Sequence, residues 1–180
     1  METITANAAD KIAAARQYIR AFGQHYDYDV SYMEALMDAS PGVFQVYEAA
    51  MPMGQYQKAA PTELLTIVKL TTAQVEDCGP CLKLGIDMAR ENKVPQYTIH
   101  GALKGGKGLS AEQLDVYRYA RSVAENIDLD PDLLPRLEER WGREVIAELA
   151  IAIVATRMYP ALKRGLGYAK RCALMPDLVA

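Results

Sequence analysis

Residues 62–91 have the sequence TELLTIVKLTTAQVEDCGPCLKLGIDMARE, which predicts two helices joined at a pair of cysteines. Inward-facing side chains of the first helix recur at helical spacing, at Leu65, Val68, Thr72 and Val75. The second helix is expected to begin at Cys78-Gly79-Pro80-Cys81, because proline is tolerated in the first turn of a helix. Asp77 is the N-cap that this pattern predicts.

Outside this segment the chain also repeats its apolar positions at helical spacing and rarely alternates with period two, so the predicted fold class is all-α. Three helices are expected on the N-terminal side: one over 8–22 that Gly23 ends, one containing Tyr32, Leu36 and Met37, and one capped by Ser40-Pro41. Four are expected on the C-terminal side: a short one over 97–103, one capped by Ser110, one over 131–139, and an apolar one from about Arg143 that Pro160 must kink or end.

Length and composition fit a single domain. The 180 residues, 51% hydrophobic and 24% charged, suffice for one core and exclude wholesale disorder. We therefore expect one helical domain over 1–180 with antiparallel helix pairs, in which N-terminal helices (8–58) pack on a core at about 55–170.

Charge and hydropathy exclude several kinds of partner. The formal net charge is −3 and no basic block is present, so no nucleic acid partner is expected. The most apolar segment, 145–156, contains Glu148 and is shorter than the roughly 20 residues that a spanning helix needs, which predicts a buried helix and no membrane partner. No secretory signal pattern opens the chain, and a cytoplasmic location is the prediction.

Cys78 and Cys81 carry the strongest chemical signal in the chain. At the start of a helix, positions i and i+3 lie roughly 5–6 Å apart between Cβ atoms, which a small distortion closes to disulfide range. Unpaired backbone amides and the helix dipole favour the thiolate there, and Lys83 adds a cation, while Glu76 and Asp77 oppose it. The prediction is a moderately activated redox pair in which Cys78 is the more exposed member.

Three other interpretations of the pair remain open at this stage. The cysteines can be buried small hydrophobic residues without chemistry. A zinc site would require a second pair of ligands, which the spacing of Cys172, His25 and His100 does not supply, so no metal or other cofactor is expected. Cys-Gly-Pro-Cys is also the tetrapeptide of thioredoxins, whose fold requires a strand and a tryptophan just upstream, where this sequence predicts helix.

A wider match becomes visible when the flanking segments are included. A helix that contains Leu64-Leu65-Thr66-Ile67-Val68 precedes the cysteine pair, and another helix follows the pair. A further helix begins within Gly-Leu-Ser-Ala-Glu at 108–112, and a late apolar helix begins at Glu144. Over about residues 55–170 this order resembles the alkylhydroperoxidase D-like branch of the carboxymuconolactone decarboxylase family. The resemblance implies an all-helical homo-oligomer, a trimer or larger, with a peroxide-reducing thiol pair. It also implies that Cys81 attacks a small hydroperoxide, that Cys78 resolves the product, and that a dithiol or lipoyl-type protein recycles the disulfide.

The family's redox branch further implies a proton relay that this chain lacks. The relay glutamate would stand twelve residues before the first cysteine and the histidine four residues after the second, where this chain has Thr66 and Gly85. Because a positioned acid or base contributes about 10²–10⁴ in rate, we expect hydroperoxide reduction of low efficiency. The alternative is a helical oligomeric scaffold or binding protein of the same fold whose catalytic relay has decayed.

Other polar residues are interpreted as structural. Three carboxylates near the pair are expected to be solvated surface charges, namely Glu63, Glu76 and Asp87. His100 is expected to be packed or on the surface, His25 to lie in a loop, and Cys172 to be a buried small residue. Three arginines in apolar helices are expected to form buried or interfacial pairs with acids such as Glu148, namely Arg118, Arg121 and Arg157.

Overall fold

The computed structural model describes residues 2–169, with side chains from residue 10 onward. Within this range the chain forms nine α-helices, one 3₁₀ turn (Met51–Gly54) and no strand, so the predicted all-α class is confirmed. The helices are α1 (Glu2–Tyr26), α2 (Ser31–Ala39), α3 (Pro41–Ala50), α4 (Thr62–Val75), α5 (Gly79–Glu91), α6 (Gln96–Leu103), α7 (Ala111–Glu125), α8 (Leu133–Trp141) and α9 (Arg143–Gly165). A thioredoxin fold needs a central sheet, so that alternative is wrong for this part of the chain.

Helix α4 is the central element of the larger core. It contacts α5, α6, α7 and α9, and its residues 64–68 and 70–73 are all buried. The predicted inward stripe is therefore too narrow, because Ile67 and Leu70 are buried outside it whereas Val75 is half-buried. A helix that is apolar on nearly every side is one that other helices surround.

A second apolar cluster joins the N-terminal helices to this core. Its centre is formed by Tyr32 and Phe44, whose side chains have no exposed surface. Leu84 of α5 and Met158 of α9 pack against the same cluster. The N-terminal helices thus pack against both α5 and α9.

Helix ends that depend on local capping fall where the sequence predicts them. Helix α3 begins after Ser40, whose side chain accepts a hydrogen bond from the Val43 amide at 3.4 Å. Helix α7 begins after Ser110, which forms a reciprocal capping box with Gln113. These ends need no tertiary contact to form, which is why they can be inferred from sequence.

The predicted end of the first helix at Gly23 is wrong. Helix α1 continues to Tyr26 and ends where Asp27 adopts a left-handed conformation, with φ of +48°. The chain then folds back, and the Tyr28 amide donates to the Gly23 carbonyl at 2.9 Å. A Cβ on residue 23 would lie 2.8 Å from the Tyr28 carbonyl oxygen, so glycine is needed for this close approach and not for a helix end.

One of the two outcomes expected for Pro160, that it ends the last helix, is wrong. Helix α9 continues through Pro160 to Gly165, and Met158 and Leu162 on either side pack on the N-terminal cluster. This packing stabilises a helix that the missing proline amide weakens locally.

Helix α9 is the one helix in residues 2–169 with the length and composition to cross a membrane. The core helix of a globular protein passes the same test. Leu149, Ala152 and Ile153 are buried in the larger core, and the helix contacts α4, α7 and α8. We therefore describe α9 as a core helix.

Glu148 on α9 has a different partner from the one expected. No arginine pairs with it among the described residues; its carboxylate accepts hydrogen bonds from the backbone amides of Lys58, Ala59 and Ala60 at 3.0, 2.8 and 3.1 Å. Burial opposes its ionisation, but the three amides outweigh burial and hold the pKa of the carboxyl below its ordinary value. Glu148 thus fastens the segment before α4 to α9.

The arginines named with Glu148 also differ from expectation. Arg118 pairs with Asp115 at 3.3 Å and Arg121 with Glu125 at 2.8 Å, and both arginine side chains are more than half exposed. They are pairs on the surface of α7, whereas Arg157 pairs with a buried acid near the cysteines, described below.

Candidate functional site

The two cysteines lie where α4 ends and α5 begins. Asp77, which the sequence predicts to be the N-cap, instead adopts a left-handed conformation with φ of +49° and turns the chain between the helices. Cys78 takes the N-cap position of α5, and Cys81 lies in its first turn. The Cα atoms are 5.2 Å apart and the sulfurs form a disulfide, so the predicted proximity of the pair is confirmed.

The two cysteines differ in exposure, in the opposite sense to the sequence prediction. Cys78 is buried, with 6% of its surface exposed, whereas Cys81 is half-buried. Cys81 is therefore the more accessible of the two residues.

Cys81 lines an apolar cavity of about 160 Å³ between the N-terminal helices, α5 and α9. Its walls are mainly aliphatic, aromatic and thioether side chains, among them Ile19, Phe22, Met33, Leu84, Met88 and Tyr159. A few polar groups also reach it, namely Tyr28, Gln55, Lys69 and Thr156. A mainly apolar lining with a few polar groups is typical of small-molecule sites.

Lys69 is the charged residue of this cavity wall. Its Nζ donates to the Gly54 carbonyl at 2.8 Å, and burial lowers the pKa of the ammonium. No sequence signal identifies Lys69, because its place in the α4 periodicity does not distinguish it from a surface lysine.

Cys78 lines a different cleft, of about 550 Å³, on the other side of the pair. Its walls carry charged side chains from three parts of the chain, among them Asp29, Glu76, Lys163 and Arg164. The disulfide therefore has an apolar cavity beside one sulfur and a charged cleft beside the other. The two cysteines thus line separate pockets, one mainly apolar and one with charged side chains in its wall.

Glu76 is a buried acid, which corrects its interpretation as a solvated surface charge. Arg157 donates from Nε to its carboxylate at 2.8 Å. Arg164 donates to the Glu76 backbone carbonyl at 3.0 Å and also to its carboxylate. The two arginines fasten the C-terminal end of α4 to α9 directly beside Cys78.

Three further side chains form a connected group near the pair, in which Tyr28 is the member that contacts Cys81. The hydroxyl of Tyr28 lies 3.8 Å from Cys81 Sγ and 3.5 Å from the hydroxyl of Tyr32. The Lys163 ammonium lies over both phenol rings, 4.2 Å and 4.7 Å from their centroids. Burial, and then the neighbouring Tyr28, raise the pKa of Tyr32, so that hydroxyl stays protonated.

No sequence signal identified Tyr28 or Lys163. Tyr28 belongs to the segment 25–29 that the sequence predicts to be a loop, and only part of that prediction holds, since residues 25 and 26 are helical. Lys163 follows Pro160, where a helix end was one of the two expected outcomes.

Gly85 and Thr66, which stand where the family has its relay residues, lie in different parts of the structure. Gly85 lines the cavity beside Cys81. Thr66 is buried, donates its hydroxyl to the Thr62 carbonyl at 2.8 Å, and is not part of the cavity wall. Position 85 is thus part of the cavity wall, with a Cβ there 3.0 Å from a methyl of Leu70, whereas position 66 lies outside that wall.

The remaining candidate acids are held away from the sulfurs by other partners. Glu63 accepts from Thr98 and Gln113, each at 2.8 Å. Asp87 pairs with Lys83 at 3.1 Å and with Arg90 at 3.6 Å. Both acids are half-buried rather than fully solvated, and neither supplies a base to the pair.

The histidines and the third cysteine do not join the site either. His25 lies in the last turn of α1 and contacts Glu91 at 3.1 Å, while His100 contacts Gln96 at 2.9 Å. Cys172 lies outside the described residues. Within 2–169, no three or more His, Cys, Asp or Glu side chains are grouped so that they could hold a metal ion.

Comparison of the chain with protein-family models, with curated proteins and with solved structures found no match in any of the three.

Proposed function

We propose that this protein is a thiol–disulfide redox enzyme of the alkylhydroperoxidase D-like type, which reduces small hydroperoxides with Cys78 and Cys81. The observation that supports this proposal most is the disulfide-bonded pair at the start of α5 whose sulfurs face two different surroundings. A purely structural pair of small hydrophobic residues would need neither the cavity nor the charged cleft.

The proposed reaction has three balanced steps. The Cys81 thiolate attacks one peroxide oxygen, the O–O bond breaks, and Cys81 becomes a sulfenic acid while an alkoxide leaves and takes up a proton to form an alcohol. The Cys78 thiol then displaces water from the sulfenic acid and forms the disulfide. A dithiol donor finally reduces the disulfide by exchange and is itself oxidised.

The surroundings of each sulfur fit this division of roles. Cys81 is the more accessible cysteine and lines an apolar cavity that suits the carbon part of a small organic hydroperoxide. Cys78 lines a cleft with Glu76 and Arg164 in its wall, where a dithiol or lipoyl-type protein would meet polar side chains. We further propose a cytoplasmic location and a homo-oligomer, a trimer or larger. Large apolar side chains exposed on α1, α3 and α9 are available for contacts between copies, namely Tyr18, Val43, Val46 and Val154.

The proposal is tested by a steady-state assay with an organic hydroperoxide and several dithiol donors. Cys81→Ser is expected to abolish hydroperoxide consumption, and Cys78→Ser to allow no more than one turnover for each chain. Cys172→Ser is the matched control and is expected to keep the wild-type rate. Consumption that continues unchanged in Cys81→Ser would rule out the role given to that residue.

A second candidate, a scaffold or binding protein of the same fold, is favoured by the residues Thr66 and Gly85 at the relay positions. It predicts that the reduced pair stays reduced in mild peroxide. Formation of the disulfide within minutes under those conditions would eliminate it.

A further inference from the structure

We infer that Tyr28 is the catalytic acid–base residue of the pair and takes the place of the absent glutamate–histidine relay. This inference rests on the proposed function, since it names the group that moves the proton in that reaction. The residue comes from the N-terminal segment, outside the part of the chain whose order of motifs resembles the redox family.

The position of Tyr28 satisfies the geometric requirement for proton transfer at Cys81. Its hydroxyl is 3.8 Å from Cys81 Sγ. In the disulfide only the phenol can donate in that contact, whereas in the reduced pair the thiol can donate as well. Both residues line the same cavity, so a hydroperoxide oxygen that approaches the sulfur also approaches the phenol. A general acid must be within hydrogen-bond reach of the reacting group, and apo structures often show such contacts at long distances.

Tyr28 is held in this position by backbone and ring contacts. Its amide donates to the Gly23 carbonyl at 2.9 Å, and its ring packs against Phe22 at a centroid distance of 6.3 Å. Only 7% of its surface is exposed. The phenol is thus fixed beside the sulfur by the fold rather than by a flexible loop.

Lys163 and Tyr32 give the phenol suitable electrostatic surroundings. The Lys163 ammonium lies 4.2 Å from the centroid of the Tyr28 ring, where its positive charge stabilises negative charge that develops on the phenol oxygen. Lys163 is itself buried, with 6% exposed. The hydroxyl of Tyr32 lies 3.5 Å from that of Tyr28 and is the next group in the chain of hydroxyls that leads from the sulfur.

The proton balance of this step requires no additional reagent. Tyr28 accepts the thiol proton from Cys81 on its oxygen and gives its own proton to the alkoxide that leaves the broken O–O bond. The thiol and the hydroperoxide become a sulfenic acid and an alcohol, and the phenol ends the step in its starting form.

Other charged groups near the pair are less well placed for this role. Lys69 lines the same cavity, and its ammonium is engaged with the Gly54 carbonyl. Asp29, Glu76 and Arg164 lie in the cleft on the side of Cys78, and Lys83 pairs with Asp87. Lys69 is therefore the competing candidate that an experiment must separate from Tyr28.

The experiment measures alkylation of Cys81 by iodoacetamide as a function of pH, in reduced protein that carries Cys78→Ser. Trypsin releases Cys81 in the peptide 70–83, and Cys172 in a separate peptide that serves as the internal standard. Adding Tyr28→Phe is expected to raise the midpoint pH of the alkylation curve by about one unit and to slow alkylation at neutral pH about tenfold, because a hydrogen bond to the thiolate is lost. In the protein with both cysteines, Tyr28→Phe is expected to slow hydroperoxide reduction about 10²-fold.

Matched variants make the result specific. Tyr97→Phe removes a phenol hydroxyl from an exposed residue of α6 and is expected to leave the curve unchanged. An unchanged midpoint in Tyr28→Phe, or a shift at least as large in Lys69→Met, would overturn the inference. Tyr28→His retains a group that transfers protons; it is expected to recover part of the rate, and the inference also fails if a folded Tyr28→His is as slow as Tyr28→Phe.

Failure of the proposed function gives a different result. Alkylation involves no hydroperoxide, so it tests Tyr28 independently of the peroxidase reaction. If Tyr28→Phe shifts the alkylation midpoint but the protein reduces no hydroperoxide, Tyr28 activates Cys81 and the proposed peroxidase function is wrong. If wild type and Tyr28→Phe reduce hydroperoxide at equal rates and have equal alkylation midpoints, the peroxidase function stands and the role given to Tyr28 is wrong. Circular dichroism of each variant verifies that the helical fold is present.

Discussion

Two residues of sequence, Gly79 and Pro80, separate Cys78 from Cys81, yet the environments of the two cysteines differ. Cys78 precedes the first helical residue, Gly79, and is buried, whereas Cys81 lies in the first turn of the helix and lines the apolar cavity. The spacing of the cysteines predicts that they are close together. It does not predict which of them is accessible, because that depends on the direction in which α4 and α9 approach.

Gly85 sets the free volume of the cavity beside Cys81. A Cβ at this position would lie 3.0 Å from a terminal methyl of Leu70. Because Gly85 is part of the cavity wall, we expect a side chain too large for that space to take up cavity volume. Gly85→His is therefore expected to lower kcat/KM for a bulky aryl hydroperoxide about tenfold relative to hydrogen peroxide. Steady-state assays with both substrates measure the ratio, and Gly85→Ala is the control expected to change it little. A ratio that stays constant in Gly85→His would show that bulky substrates do not use this cavity.

At the scale of single elements, the end of α1 determines where Tyr28 lies. Gly23→Ala would place a Cβ 2.8 Å from the Tyr28 carbonyl oxygen, so the loop must move away from the helix. We expect a loss of about 1–3 kcal/mol in the free energy of unfolding, together with slower hydroperoxide reduction. Urea denaturation and the peroxidase assay measure the two effects.

Gly42→Ala in α3 is the matched control for Gly23→Ala. A Cβ there has no neighbour within 4 Å, so a gain of about 0.4–1 kcal/mol and an unchanged rate are expected. If Gly23→Ala were as stable and as active as Gly42→Ala, the close approach of the loop to α1 would not hold Tyr28 in place.

The stability that Glu148 contributes by connecting α9 to the segment before α4 depends on pH. Its folded-state pKa is below the ordinary value of 4.5, so its stabilising effect is complete above that pH and is lost as the pH falls through the lower value. Glu148→Gln is expected to reduce the melting temperature by several degrees at neutral pH, with a gap to wild type that closes in acid. Thermal melts of both proteins from about pH 3 to pH 7 measure this gap. A gap that is constant over this range would contradict the assigned ionisation.

The elements also show where sequence reasoning succeeds. Ser40 and Ser110 cap their helices through contacts within four residues, and such contacts are encoded locally. The behaviour of Gly23 and Pro160 depends instead on segments that pack against them. Local rules therefore gave the wrong end for α1 and left open whether Pro160 kinks or ends α9. The same limit explains why Cys78 and Cys81 could be identified from sequence while Tyr28 and Lys163 could not.

For the whole molecule, the central question is whether the chain acts as a single copy or as an assembly. One chain has a mass of 19.9 kDa. We expect light scattering coupled to size exclusion to give three times this mass or more, since exposed apolar side chains such as Val46, 75% exposed, would then be covered by another copy. A mass of one chain at every concentration tested would contradict the proposed oligomer and leave the chemistry of the pair untouched.

The most direct test of redox cycling is the mass of peptide 70–83 after reduced protein has reacted with one equivalent of an organic hydroperoxide. The account predicts a loss of about two daltons, confined to this peptide, as the thiols of Cys78 and Cys81 become a disulfide. It also predicts that the loss is reversed by a dithiol. A peptide that keeps its reduced mass while the hydroperoxide is consumed, or one that gains oxygen without forming the disulfide, would contradict the claim that these two sulfurs cycle together.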